Sequence, residues 1–464
     1  MVVISKRFFI ALAAMMMIVL VFSITAVFYP DIYIANGQED EICIDYELTV
    51  NTITITCNYV SFQDVVATIN DPAIITNLGD GEYLLQANLQ VNNGATLAMT
   101  SNEDGLQYLK IAGANGIVVN GKIQIDGIKI TSWDASTNDV IDQNTNGSIS
   151  RAYIQFAESE GAQIINSEFA YLGYQQLGKR GFDLFGDGEA SHNIEIRDNE
   201  FHHMWRAFYS KGAYNITIDG NEFHDNINYG VDLHSGTHDV TITNNWIHHD
   251  PIGVICSVDC YHIVIDGNKI YHNTKAGIFF SRGMQDSIAT NNYIYDTSSG
   301  IILSESPNNQ IYNNTIEAAS SGILLFNPAE PDEGLTERNR VYNNTIFASD
   351  SGINSTRSHS NILGDNKFFD ITSSEYHLAG NSNIRIIDQD FANTSITAEK
   401  GSRTINTIEI AYSGIIKVTE VNDEEEYDKN NYRGINESEY YYNTDNTPYR
   451  KVMNYSGSII INSS

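Results

Sequence analysis

The chain has 464 residues, with 26 Lys and Arg against 58 Asp and Glu, for a formal net charge of −32. So acidic a chain lacks the basic footprint of nucleic-acid binding, which sets that partner class aside, and it disfavours simple attraction to a polyanion. Pro is scarce at 7 residues, Gly and Tyr are frequent at 34 and 27, and Asn, Ile and Thr are common. That mix favours strands and tight turns, and no long stretch carries a 3.6-residue apolar period, so the chain reads as all-β.

At the N-terminus Lys6 and Arg7 precede an apolar run from Phe8 to Phe28, broken only by Ser23 and Thr25. At helical rise such a run spans a bilayer core of roughly 30 Å, and the basic flank favours a cytoplasmic tip. The exit, Thr25-Ala26-Val27-Phe28-Tyr29-Pro30, is a poor cleavage site. Residues 1–35 are therefore expected to be a transmembrane anchor or signal segment, leaving the rest as a membrane-anchored extracytoplasmic ectodomain or a secreted protein. Four cysteines fit that compartment. Cys43 and Cys57 bracket a strand-like stretch, while Cys256 and Cys260 sit four apart. The latter pair reads either as a disulfide or, for Cys256, as a plain inward-facing strand residue. No further Cys pair has metal-ligand spacing, so no metal site is expected.

Residues 36–120 are strand-rich and are expected to form a protective cap and the first coils of a solenoid. IQIDGIKI (123–130) and AQIINSEF (162–169) look like single coils of a repeat, with loops around 134–150 and 174–190 interrupting the stack. Beyond them the repeat is explicit: NIEIRDNEF, NITIDGNEF, VTITNNWI, IVIDGNKI, SIATNNYI, QIYNNTI, RVYNNTI and NILGDNKF succeed one another. Their anchors are Asn199, Asn221, Asn245, Asn268, Asn292, Asn314, Asn344 and Asn366, spaced by 22, 24, 23, 24, 22, 30 and 22 residues. Six of the repeats continue into Gly plus a branched apolar residue, as in Gly230-Val231 and Gly277-Ile278. A leucine-rich repeat has a similar period but needs a Leu-x-x-Leu-x-Leu frame that is missing here. Alternation (Ile216, Ile218; Val240, Ile242), an Asn turn and a second short strand instead describe one coil of a right-handed parallel β-helix over 121–375. Asn side chains at one turn are expected to stack as a ladder. The 30-residue spacing is read as an insertion over 327–340. From about 403 the repeat is lost, and 376–464 is expected to be a C-terminal cap or β appendage with an acidic loop at Asp423-Glu424-Glu425-Glu426.

A solenoid does not name a function, so a site must. The candidate is Asn228-Tyr229-Gly230-Val231-Asp232-Leu233-His234. With Val231 and Leu233 inward, alternation puts Asp232 and His234 outward on one face, and Tyr229 stands at the corner beside them. A phenol, an imidazole and a carboxylate on one patch suit proton transfer. Matching positions of neighbouring coils, about 4.8 Å away, add Arg206, Tyr209 and Lys211 on one side. On the other they add Ser257 and Asp259, then Lys275, Ser281 and Arg282. Each has a plain alternative: His234 as one more solvated turn histidine like His202, His203, His224, His248 and His249, and Tyr229 as one of many structural tyrosines.

These residues resemble the mannuronan (alginate) C5-epimerases, whose β-helix carries Tyr-Gly-x-Asp-Pro-His. The match is Tyr229, Gly230, Asp232 and His234, with FHDNINYG before it, KAGIFFSRGMQDS (275–287) and SGIILSESPNNQIYNN (299–314) after it, and RAYIQF and SEFAYLGY (151–156, 167–174) earlier. The similarity covers roughly 80–370. Leu233 stands where the family has Pro, and two coil repeats, rather than one, separate His234 from Arg282. The resemblance implies a catalytic set of His234, Tyr229, Asp232 and Lys211, with Arg282, Arg206, Ser257 and Lys275 binding the substrate. His234 and Tyr229 would exchange the C5 proton, Asp232 would hold His234 in its tautomer, and Lys211 would neutralise the sugar carboxylate. The implied activity is C5 epimerisation within a polymer. The alternatives are a polysaccharide lyase of the same fold and a non-catalytic surface glycan-binding protein. The expected partner is an anionic or neutral polysaccharide, no cofactor is implied, and bound Ca²⁺ bridging the acids is the one ion considered. The chain is expected to work as a monomer.

Overall fold

A computed structural model describes residues 43–142, 150–185, 191–328, 335–379 and 384–387, together with the strands Ser395–Lys400, Ile408–Asn422 and Tyr449–Ile461. The expected anchor over 1–35 and the acidic run 423–426 lie outside the described residues. Among the described residues no helix is long and apolar enough to cross a membrane.

The repeat folds as a right-handed parallel β-helix. One coil contains the strands Tyr214–Asp219, Glu222–His224 and Tyr229–His234, and the next His238–Thr243, Trp246–His248 and Ile252–Ser257. Each pairs in parallel with its counterpart, so that Ile216 lies beside Val240, Phe223 beside Ile247 and Val231 beside Val254. A coil thus has three strands: the alternating one, the three-residue one that follows the Asn turn, and the one that opens at the Gly-Val/Ile pair. Inward rows such as Ile218, Ile242 and Ile265 are buried in one continuous apolar core. Phe169, Phe201 and Phe223 stack within it at 4.9 Å per step. Each such side chain contributes roughly 1.5–3 kcal/mol by burial.

The anchor asparagines form the expected ladder. The backbone N–H of Asn245 donates to Oδ1 of Asn268 at 3.0 Å, its Nδ2 donates to the same oxygen at 2.9 Å, and Nδ2 also reaches the carbonyl of Ile218 at 3.0 Å. The contact repeats from Asn199 to Asn366. The residue before each anchor takes a left-handed conformation, which is why that place is filled by Asp198, Gly220, Asn244, Gly267, Asn291, Asn313, Asn343 or Asp365. The Gly of each Gly-Val/Ile pair has a different cause. A Cβ on Gly277 would lie 2.9 Å from the carbonyl oxygen of Gly300 and 2.5 Å from Ile294, so only glycine lets successive coils approach.

At the N-terminal end the hairpin Ile44–Glu47 and Thr52–Ile55 is closed by a Cys43–Cys57 disulfide, and Thr52–Ile55 begins the parallel stack on Asn88–Val91. A short helix, Phe62–Ile69, interrupts the strand-rich reading of this region. Ser61 and Asp64 cap it reciprocally, and Phe62 and Val65 join the core. The stretch 174–190, read as a loop, contains the strand Gly181–Leu184, which lies parallel to Tyr153–Phe156 and Arg206–Lys211. The long spacing before Asn344 leaves the ladder intact, since the N–H of Asn314 still donates to Asn344 at 3.0 Å. The stack ends on Ile408–Asn422, which pairs in parallel with Ile384–Ile387 and Ser395–Lys400 and antiparallel with Tyr449–Ile461.

Candidate active site

The strand Tyr229–His234 presents two faces. Val231 and Leu233 are in the core, and the intervening positions point outward. Stacking continues the outward positions across coils: Asp183, Tyr209, Asp232 and Ile255 form one row, and Lys211, His234, Ser257 and Ser281 the next. Register alone therefore sets Lys211 and Ser257 on either side of His234.

His234 is half-buried. Its ring centroid is 5.8 Å from that of Tyr209, and its Nδ1 is 2.6 Å from Oγ of Ser235, which orients the imidazole. Asp232 is only 1% exposed and accepts a hydrogen bond from Nη1 of Arg206, itself 3% exposed. The guanidinium carbon of Arg206 lies 5.1 Å from the Tyr229 ring and 5.4 Å from the Tyr209 ring. The group expected to steady His234 thus sits in a buried ion pair, and Arg206, expected to meet substrate, is its partner. Tyr229 is largely buried, its ring against the Arg206 guanidinium. Lys211 is exposed, with Nζ 4.8 Å from the Phe185 ring. Ser257 lies beside His234 in register and is largely covered. Lys275 and Arg282 flank the strand two coils on, roughly 10 Å away by strand spacing. They lie along the face rather than at the centre of the site. Cys256, inward beside Leu233, pairs with Cys260 in a disulfide across the turn that carries Val258 and Asp259 in the left-handed region.

Two residues escaped the sequence reading. The Arg180 guanidinium stands 4.2 Å from the Tyr209 ring, and Asp183, fully buried, occupies Asp232's position two coils earlier. Burial pushes the Asp183 carboxyl up to about 7 and the Tyr209 phenol up to about 12. A signal was present: Gly181-Phe182-Asp183-Leu184 repeats the Gly230-Val231-Asp232-Leu233 frame. Beyond the site the same outer face turns apolar. Ile255, Phe279, Ile302 and Leu324 form a second buried cluster with Tyr229, Ile252, Ala276 and Phe326. Polar chemistry is therefore concentrated at the end of the face bearing Arg180, Lys211 and His234.

Similarity to characterised proteins runs the same way. The relatives are mannuronan C5-epimerases. That of Pseudomonas syringae pv. tomato is 25% identical over 204 residues, covering 42% of this chain and 38% of that protein. That of Pseudomonas aeruginosa is 25% identical over 176 residues, covering 36% and 32%. The chain thus spans less than two fifths of the length of these curated relatives. Among solved structures, a point mutant of the periplasmic alginate epimerase AlgG matches with a TM-score of 0.62 at 20% identity, covering 79% of this chain and 85% of that one, which establishes the shared fold. Family models described as right handed beta helix region and as periplasmic copper-binding protein (NosD) match residues 251–391 and 98–281.

Proposed function

We propose that this chain is an extracytoplasmic uronan C5-epimerase acting on residues of the mannuronate type within a polymer. The observation that carries the reading is the register of Lys211, His234 and Ser257 on an outward row, two residues along the strands from Asp232 of the buried Arg206–Asp232 pair. The relatives' epimerase activity supports it.

The chemistry follows from the groups in place. A hexuronate C5–H lies α to a carboxylate and is very weakly acidic while that carboxylate keeps its full charge. Lys211, the exposed cation beside His234, neutralises it and stabilises the enolate-like intermediate. His234 removes the C5 proton, with Ser235 against its Nδ1 orienting the ring. The Tyr229 phenol returns a proton to the opposite face, inverting C5, and the proton on His234 restores the phenol through solvent. Asp232 acts through Arg206, which carries the rings of Tyr229 and Tyr209 at fixed distance. Lys275 and Arg282 bind sugar carboxylates further along the chain.

A lyase shares the first step and then expels the 4-O-linked sugar, whereas a glycan-binding protein performs neither step. The purified chain is incubated with polymannuronate in deuterated water, with and without Ca²⁺. Expected are deuterium at C5 and new guluronate signals by NMR, with no unsaturated chain ends absorbing in the ultraviolet. His234→Ala is expected to lower exchange at least ~10²-fold, the scale for losing a positioned base. Lys211→Ala should mainly weaken transition-state stabilisation. No exchange on any uronan, with retained binding of a neutral glycan, overturns the proposal. Unsaturated ends with polymer shortening replace it by the lyase reading.

A further inference from the structure

Besides the ladder from Asn199 to Asn366, a second ladder runs along the corner that follows the middle strands. It is formed by Asn226, Asp250 and Asn273, all buried, each preceded by a left-handed residue, Asp225, His249 or His272. Each Oδ1 accepts from a backbone N–H one coil earlier: Asn226 from Met204 at 3.0 Å, Asp250 from Asn226 at 2.7 Å and Asn273 from Asp250 at 2.9 Å. In the two asparagines Nδ2 then donates to a carbonyl of the previous middle strand, Phe201 at 3.3 Å and Ile247 at 3.2 Å. Phe223 stands between Phe201 and Ile247 in register, so its carbonyl belongs to the Asp250 rung.

Asp250 has no amide to offer. Its second oxygen, Oδ2, is sealed from solvent and has no hydrogen-bond partner among the described residues. It lies against the strand Tyr229–His234, where a Cβ on Gly230 would come within 2.8 Å of it. A Cβ on Gly253 would meet Nδ2 of Asn273 in the same way, at 3.1 Å. The acid oxygen thus occupies the place of an amide nitrogen. An ionised carboxylate only accepts hydrogen bonds, and here it would turn a bare negative oxygen toward a carbonyl with no water to solvate it. A protonated carboxyl accepts on one oxygen and donates from the other, as an amide does. Burial pushes this carboxyl up to about 8. The titratable groups around it are His224 and Asp225 on the previous coil, whose effects oppose each other, and His248 and His249 just before it in the chain. Asn273 and Gly230 meet it from the next coil and the site strand without charge.

We propose that Asp250 is a neutral-acid rung, a positioning residue that closes the second ladder with its own proton onto the Phe223 carbonyl and so holds the strand of Tyr229, Asp232 and His234 to the coil. Loss of the proton opens the rung. The inference concerns the coil beneath the site and stands apart from the epimerase assignment. An unfolded aspartate releases its proton near about 3.9, the folded one only near about 8. The rung's contribution to stability is therefore complete below about pH 4 and lost as pH rises through about 8.

The test compares the full chain with Asp250→Asn, which supplies the amide donor at every pH. Urea unfolding of both is followed by circular dichroism between about pH 5 and about pH 8. A proton held only by the folded state is worth up to about tenfold in the folding equilibrium per pH unit, so the wild type is expected to lose at least ~10-fold relative to the variant over that range. The variant is expected to be the more stable protein at the alkaline end. The infrared difference between wild type and variant at neutral pH should show the carbonyl band of a protonated carboxyl, shifted in deuterated water. Parallel pH dependence of the two proteins, or absence of that band, overturns the proposal. A variant that fails to fold overturns it as well, because an amide completes the rung.

Discussion

Asp232 and His234 are two residues apart and share an outward face, yet their environments are opposite. His234 is half-buried and held by Ser235, whereas Asp232 is sealed against Arg206. Removing one partner of a buried ion pair strands the other charge, at a cost of about 3–5 kcal/mol, while replacing both by apolar side chains is often neutral. Asp232→Ala is therefore expected to lower stability by that order and to abolish exchange. The double variant Asp232→Ala/Arg206→Met should recover most of the stability but none of the activity. Urea unfolding followed by circular dichroism, run beside the C5 exchange assay, separates the two effects. If the double variant is as unstable as the single one, the pair is not what holds this part of the coil. Tyr209 is bound into the same cluster: a ring that sequence placed merely on a neighbouring coil packs against His234, Arg180 and Arg206 at once.

The element that repeats is a coil of three strands around an asparagine rung. Each buried rung satisfies its neighbour's backbone N–H and its own side-chain amide, so deleting one amide orphans groups on two coils. Asn268→Ala removes the acceptor of both Asn245 donors and the bonds from Nδ2 to Ile242 and Asn292. Leaving buried groups unsatisfied costs roughly 1–3 kcal/mol each, so a loss of at least ~2 kcal/mol is expected. Asn244→Gly, one residue before the Asn245 rung and exposed, keeps the left-handed backbone, loses a bond only at the surface and should cost less. Chemical denaturation of both variants checks the ordering, and equal losses would mean the ladder is not a principal source of coil stability. The same turn geometry sets His203 beside His202 and His249 beside His248, since the left-handed residue after each middle strand turns its side chain back toward its predecessor.

At the scale of the whole molecule the net charge of −32 opposes a polyanionic substrate, although Lys211 and Arg180 gather positive charge at the site. Long-range repulsion is screened by salt much more than a close contact at the site, and the Debye length falls from about 30 Å at 0.01 M to about 8 Å at 0.15 M. KM for polymannuronate is therefore expected to fall several-fold as salt rises over that range, opposite to the trend for a basic groove. A KM that rises steadily with salt would show that local cations dominate. The apolar continuation of the outer face, from Ile255 to Leu324, makes the two directions along the solenoid unlike.

The β-helix was legible because its determinants are local and periodic. A ladder asparagine with a left-handed residue before it recurs in every turn from Asn199 to Asn366, and a Gly where coils approach recurs in six of them, so both show in the sequence at the coil spacing. The outward placement of Asp232 and His234 was legible for the same reason, because alternation from Val231 and Leu233 decides it. The helix Phe62–Ile69 was not, being two turns long inside a region whose other segments alternate. Nor was the strand Gly181–Leu184, whose flanking insertions break the spacing although its Gly-apolar-Asp-Leu frame survives. What only the tertiary structure decided was which charges meet. Arg206 with Asp232 and Arg180 with Tyr209 depend on side-chain reach between coils, and residue spacing along one strand carries no information about that reach.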